Sequence, residues 1–449
     1  MSATSRSRRG WRVPQGLSAA ARFAADLIRI DTSNRGGGDA RERPAAEYVA
    51  ARLAEVGLEP VLLESAPGRA NVVARVAGGQ GGAPALLVHG HLDVVPADPS
   101  SWSVHPFSGE IRDGVLWGRG AVDMKNADAA LLAVVSQWAG SGARPRRDIV
   151  LAFTADEEDN AAFGARWLVE RHPGLFEGCT EAVGESGAFT FHAGPGLRLY
   201  PVASAERGTA WVKLTARGQA GHGAKPNPAN PVTRLAAAVA RIGASGWPVR
   251  LIPAVRAAIE AIADATGTPL PAGDLADLAA EDLLAALGPA AALVAGTIRN
   301  SANPTMLQAG YKINVIPHEA VGYVDGRVLP EYEHEFAATL DELTGTDATW
   351  EFAHREPPLE APLHGLLPDN MAQALLEEDP GGVVVPYCMS GGTDAKQFAR
   401  LGMNCYGFTP LVLPEGYDYY AMFHGTNERI PVSALDAGVR VMDRFLLRA

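Results

Sequence analysis

Ala85-Leu86-Leu87-Val88-His89-Gly90-His91-Leu92-Asp93-Val94-Val95-Pro96 decides how this chain is read. Four apolar residues make a short strand, and polar residues follow where that strand ends. In open α/β sheets functional groups gather just past the carboxyl ends of strands, where loops leave side chains free. His91 and Asp93 lie two apart, so on a still-extended chain they share a face. An aspartate placed this way can hold an imidazole by its second nitrogen, a common support for metal-ligating histidines.

Outward from this stretch, apolar strands alternate with helical segments. Ala70–Val76, Asp148–Thr154 and Glu181–Gly184 read as strands, Asp123–Trp138 and Phe163–Arg171 as helices. Leu17–Ile30 reads as an amphipathic helix with Asp26 and Arg29 on its polar side. The alternation predicts an α/β fold with a mixed, mostly parallel sheet flanked by helices. Near Glu206 the texture changes. Thr209–Thr215, Tyr311–Val315, Ala320–Val328 and Thr349–Ala353 read as strands, and Pro231–Ile242 and His334–Leu343 as helices. A helical, Ala/Leu-rich stretch runs from Val255 to Val294. This order fits an inserted α+β module, with Pro357, Pro358 and Pro362 marking the return to the first domain. The expected division is 1–204 and 358–449 for the first domain and 205–357 for the insert.

With 449 residues, two or three domains are expected. Gly (49) and Pro (32) together stay below the roughly 25–30% share that signals disorder. The formal charge of −12 argues against a nucleic-acid partner, which calls for an excess of Lys and Arg. Cys179, Cys388 and Cys405 are widely spaced, so they read as buried or incidental thiols in a reducing cytosol. No stretch reaches the ~18 uninterrupted apolar residues of a membrane span. The start is basic, with Arg6, Arg8, Arg9 and Arg12, but no apolar signal run follows. It reads as a loose tail, and the expected location is the cytoplasm.

Two further strands end as the first does. Ile149–Thr154 runs into Asp156-Glu157-Glu158, and Ala182-Val183-Gly184 into Glu185. Asp123 follows Gly118-Arg119-Gly120-Ala121-Val122 near the start of a helix, and His424 stands in Phe423-His424-Gly425-Thr426-Asn427-Glu428. A carboxylate has two oxygens, so Asp123 can bridge two cations. Of two adjacent glutamates, one can bind metal while the other acts as general base toward water. Taken singly, each residue has a plainer reading. His91 serves as a structural histidine, Asp123 as a charge at a helix N-terminus, and Glu157–Glu158 as a solvated loop. Taken together, His91, Asp123, Glu158, Glu185 and His424 form a nitrogen and oxygen ligand set. It suits a hydrolytic zinc pair, with cobalt or manganese as alternatives.

At these residues the sequence resembles the zinc metallopeptidase family of carboxypeptidase G, aminoacylase, acetylornithine deacetylase and succinyl-diaminopimelate desuccinylase. The likeness spans about residues 18–447. It implies that His91, Asp123 and Glu185 hold one zinc and that Asp123, Glu158 and His424 hold the other. Glu157 would be the base and Asp93 the support of His91. The insert resembles the family's lid, which also tends to be its dimerisation domain, so a homodimer is implied. Within it, Gly218-Gln219-Ala220-Gly221-His222-Gly223-Ala224-Lys225-Pro226 resembles the stretch whose histidine reaches the reacting carbonyl, often across a dimer. Many members have serine where Ala224 stands, which bears on a lid hydrogen bond rather than on His222. Without the resemblance, His222 is a turn histidine among glycines.

Lys312-Ile313-Asn314-Val315-Ile316-Pro317 and Asp325-Gly326-Arg327 are similar to the lid's substrate-binding segments. By that likeness Asn314 contacts the tetrahedral intermediate and Arg327 clamps a substrate carboxylate; an ordinary ion pair is the other reading of Arg327. Ser390-Gly391-Gly392-Thr393-Asp394 resembles the glycine loop beside the metals, where the bare backbone of Gly391 and Gly392 can cradle a carboxylate. Glu206-Arg207-Gly208 and Asn303-Pro304-Thr305 look most like the carboxypeptidase S branch, and the helical 255–294 stretch would enlarge its lid. The activity implied is hydrolysis of the amide of an N-acyl amino acid or small peptide beside a free carboxylate. One rival is a lidless di-zinc aminopeptidase, against which the long gap from Glu185 to His424 speaks. The other is a non-catalytic binding protein that keeps the fold, although no ligand or base is missing here.

Overall fold

The computed structural model describes residues 16–270, 275–277 and 279–449. The basic tail, and residues 271–274 and 278 of the helical stretch, lie outside them. A ten-stranded sheet forms the larger layer. Its centre is parallel: Ile149–Thr154 pairs with Ala85–His91, which pairs with Cys179–Gly184, which pairs with Asn404–Gly407. Antiparallel strands extend it on both sides. Val61–Ala66 and Arg69–Val76 lie beyond Ile149–Thr154. Leu197–Glu206 lies beyond Asn404–Gly407 and also pairs in parallel with Gly382–Met389.

Strict alternation puts helices on both faces. Leu86, Val88, Ile149, Leu151 and Phe153 pack with the helices Ala19–Arg29, Lys125–Ser141 and Val432–Arg448. Ala85, Leu87, Val150, Ala152 and Ala182 pack on the other face with Leu168, Phe176 and Phe398. A strand apolar at every position is what two covered faces require. Each buried Leu or Phe contributes roughly 1.5–3 kcal/mol.

A four-stranded antiparallel sheet is ordered Ser301–Ala309, Glu319–Val328, Gly208–Arg217, Thr349–Glu356. One face of it, through Val212, Leu214 and Val324, packs on helices Pro231–Ala244 and Glu333–Thr344. Two expectations are corrected. The strand expected at Tyr311–Val315 lies instead at Ser301–Ala309, with only Val315–Ile316 extended after it. Gly310, at φ 70°, ends the edge strand, and a turn occupies 311–314. Pro304 is tolerated there because an edge strand has one unpaired side. The 255–294 stretch does not enlarge the smaller sheet. Val255, Ile259 and Ile262 of helix Pro253–Thr266 pack on Leu199, Ala205 and Val385 of the ten-stranded sheet. The three cysteines are buried and free. No helix among the described residues is long and apolar enough to cross a membrane.

Candidate metal centre

Parallel register explains why distant residues meet. His91 pairs with Thr154, and Val88 with Val183, so three strands finish along one edge. Leu92–Asp93, Asp156–Glu158 and Glu185 leave from that edge together. Asp123 arrives from a tight turn before helix Lys125–Ser141. Gly120, at φ 90°, has no room for a side chain, because a Cβ there would sit 2.9 Å from Lys125 Cδ. His424 closes the opposite side in a left-handed backbone conformation, φ 55°.

The donor atoms converge. His91 Nε2 lies 3.0 Å from Asp123 Oδ1, 3.7 Å from Glu185 Oε2 and 3.9 Å from Glu157 Oε2. His424 Nε2 lies 3.3 Å from Asp123 Oδ2 and 3.0 Å from Glu158 Oε2. Asp123 therefore turns one oxygen toward each imidazole, the geometry of a bridging carboxylate. Two groups, His91 with Glu157 and Glu185 and His91 with Asp123 and Glu158, each keep their donor atoms within 4.8 Å of one another.

Electrostatics point the same way. Burial, with Glu185 beside it, pushes the Glu157 carboxyl well above the ordinary range. Burial also raises Glu185 to about 7, against the pull of His91. Glu158 is raised by burial and by Asp123. His424 is pushed up to about 10 by its hydrogen bonds to Asp123 and Glu158. Four largely buried carboxylates against two imidazoles leave a surplus of negative charge, which is costly unless it is compensated. Divalent cations would remove that surplus, and oxygen and imidazole nitrogen donors suit zinc, cobalt or manganese.

The cluster is held from behind. His91 Nδ1 bonds to the Asp93 carbonyl oxygen at 3.0 Å, whereas the nearest Asp93 carboxylate oxygen is 3.7 Å away. The Asp93 carboxylate instead accepts from the backbone N–H of Glu157 (3.1 Å) and Glu158 (3.2 Å) and from Asn34 Nδ2 (2.9 Å). It therefore orients the loop that carries both glutamates. Asn34 also donates to Asp156, which pairs with buried Arg69, itself bidentate on Glu42. Under Asp123, the buried Glu428 accepts from the N–H groups of Gly120, Val122 and Asp123 and pairs with Arg119 at 2.6 Å.

Comparison with known proteins decides the family. The family model described as peptidase family M20/M25/M40 matches residues 87–448. This chain belongs to peptidase family M20/M25/M40. It is 28% identical over 362 residues to an N-fatty-acyl-amino acid synthase/hydrolase of Xenopus tropicalis, covering 77% of this chain and 69% of that one. It is also 28% identical over 373 residues to a succinyl-diaminopimelate desuccinylase of Stenotrophomonas maltophilia, covering 82% and 84%. An M20 family metallo-carboxypeptidase from Sulfolobus solfataricus superposes with a TM-score of 0.70 at 17% identity, over 96% of this chain and 99% of that one. That likeness shows the shared fold. As an M20 member the chain is an enzyme of the peptidase and amidohydrolase class, acting on amide bonds.

The remaining M20 site candidates divide. Arg327 and Gly392 line a polar cavity of about 120 Å³ together with Glu157, Thr209, His354 and Gln397. Arg327 is half-buried and paired with Asp325 at 2.8 Å. Gly391 precedes Gly392 in a loop held by Glu206, which accepts from Thr393 N and Oγ1. His222 and Asn314 sit elsewhere, His222 on a two-stranded ribbon that pairs it with Val315, and Asn314 in the turn before that ribbon, its carbonyl accepting from Gly223 N–H. Both are exposed, and among the described residues neither bonds to the metal centre. Sequence reasoning gave no role to Asn34, Arg69, Glu42 or Glu428. Only Glu428 carried a signal, since it sits in the motif after His424.

Proposed function

We propose that this chain is a di-zinc hydrolase, with cobalt or manganese as alternative metals, that cleaves the amide of an N-acyl amino acid or small peptide beside a free carboxylate. The observation that carries the reading is Asp123 facing both imidazoles, with Glu158 and Glu185 on either side and Glu157 between them and the Arg327 cavity. When bound, a pair of divalent cations supplies Lewis acidity, which lowers the pKa of water and polarises a carbonyl. Arg327 orients the substrate by its carboxylate, with a planar guanidinium suited to a two-pronged contact. Glu157 takes the proton of the attacking water at a carboxylate oxygen and hands it to the leaving amine. His222 donates to the developing oxyanion. Its exposure, that of Met306 and Leu307 on the free edge strand of the smaller sheet, and that of Tyr311 and Ile313 in the turn that follows, supports pairing of two copies through this module.

The test is hydrolysis of a panel of N-acyl amino acids and dipeptides by protein loaded with zinc, cobalt or manganese. Turnover that requires a free carboxylate and two metals per chain is expected. A requirement for a free α-amine would favour an aminopeptidase instead. Absence of bound metal after loading would remove the reading altogether.

A further inference from the structure

The two segments that deliver Glu185 and His424 also build a second cavity. Phe189 and Phe191 follow Glu185, and Tyr417, Tyr419 and Tyr420 precede His424; together they line a space of about 260 Å³. The rings form a continuous wall. Phe189 stacks on Tyr419 with centroids 4.1 Å apart and meets Tyr420 edge-on at 5.4 Å. Tyr419 packs edge-on against Phe423, the neighbour of His424, at 4.9 Å. Phe423 is bonded in the chain to His424, so the wall runs up to the segment that delivers that imidazole. Tyr420 is 41% exposed, on the open side of the cavity.

This cavity shares no lining residue with the polar one that holds Arg327 and Gly392. A substrate held by its carboxylate beside Arg327, with its amide at the metal centre, has its acyl end left to place. We propose that the aromatic cavity is the acyl subsite and that it takes a single aromatic ring on a short linker. The inference rests on the hydrolase reading above and names its substrate class. Size sets the choice. A cavity of roughly 150 Å³ accommodates benzene, so 260 Å³ holds a phenylacetyl group, whereas most of a long alkyl chain would be left outside it. Shape agrees, because aromatic walls favour edge-on and offset contacts with another ring.

The experiment compares N-acetyl-, N-phenylacetyl- and N-palmitoyl-leucine. Metal-loaded enzyme should show a kcat/KM at least tenfold higher for the phenylacetyl compound than for either other. Tyr420→Ala should lower the phenylacetyl-to-acetyl ratio about tenfold, and Tyr420→Phe, which keeps the ring, should retain it. Saturation-transfer NMR on metal-free protein supplies a readout independent of turnover. It should show the phenyl protons of the phenylacetyl compound in contact with wild type, and lost contact in Tyr420→Ala. Hydrolysis of all three at similar rates, or phenyl contact indifferent to Tyr420, would overturn the subsite while leaving the hydrolase reading intact. Tyr420-dependent phenyl contact without hydrolysis of any of the three would overturn the hydrolase reading and leave an aromatic binding site.

Discussion

The metal centre and the ribbon that bears His222 solve opposite problems. At the centre, His91, Asp123, Glu157, Glu158 and Glu185 hang from parallel strands and a helix start, and all but Glu185 are backed by buried Asp93 or Glu428. On the ribbon, His222 rests on two residue pairs and, with Asn314 in the adjoining turn, faces solvent. A two-stranded ribbon of that length has little stability of its own. The difference follows from what each region must do. Like charges can be crowded only by a framework assembled before any cation or substrate arrives. A group that meets the substrate's oxyanion is needed only once substrate is bound.

The sharpest way to break this comparison is to change chemistry at the centre without changing its frame. Glu157→Gln should lower kcat by about 10⁴-fold, the upper end of what a positioned general base contributes. Metal content should remain near two per chain, read by elemental analysis. Unchanged turnover would remove Glu157 as the base; lost metal would make it a ligand.

The frame itself comes next. Glu428→Ala would strip three backbone N–H groups and Arg119 of their acceptor, all under Asp123. Removing one partner of a buried pair typically costs about 3–5 kcal/mol, so denaturant unfolding should show a loss of that size together with weaker metal retention. An unfolding midpoint within error of wild type would show that Glu428 is not what fixes the turn.

The ribbon should behave otherwise. His222→Ala should reduce kcat by about 10²–10³-fold, the usual effect of losing one oxyanion donor, with stability and metal content unchanged. If two copies pair through this module and exchange His222, mixing His222→Ala with Glu157→Gln should restore part of the activity. No restoration would place His222 over its own chain's metals.

The same contrast governs what could be read from sequence. Ligand-bearing strands were legible because burial on two faces forces an apolar run, and the polar residue that ends it stands out. Parallel pairing then brings such ends together, so residues far apart in the chain could be grouped. Arg69, Glu42 and Asn34 were not legible, since a buried ion pair leaves no periodic trace and depends on contacts across the fold. The apolar spacing of Val255, Ile259 and Ile262 announced a helix but not the surface it covers, and that helix lies on the larger sheet. Strand Ser301–Ala309 was not legible because only Ala302 of it is buried, so it has no apolar run, and Pro304 interrupts it.

The smallest expected effect lies at the rim of the larger sheet, far from any metal ligand in sequence. Asp379 accepts from Arg198 at 2.6 and 2.7 Å and from the Tyr200 hydroxyl at 2.7 Å. The Arg198 hydrogen bonds hold its carboxyl down at about 2, below the ordinary 3.8. A carboxylate with a depressed folded-state pKa binds fewer protons folded than unfolded, so its contribution is complete above the unfolded value and disappears as pH falls through the folded one. Between pH 4 and 7 the group should therefore supply a constant stabilisation, and between about 4 and 2 it should be lost. Arg198 is 32% exposed, so screening limits the contribution to about 1 kcal/mol. Asp379→Asn should lose that amount at pH 7, and its stability curve should converge on that of wild type near pH 2. A gap between the two curves that persists at pH 2 would mean that Asp379 acts through packing rather than charge. Because none of the hydrogen bonds of Asp379 goes to a residue of the metal centre, kcat at pH 7 should stay as it is in wild type. That separates a stabilising ion pair from the charge cluster, where every neutralisation should register in catalysis.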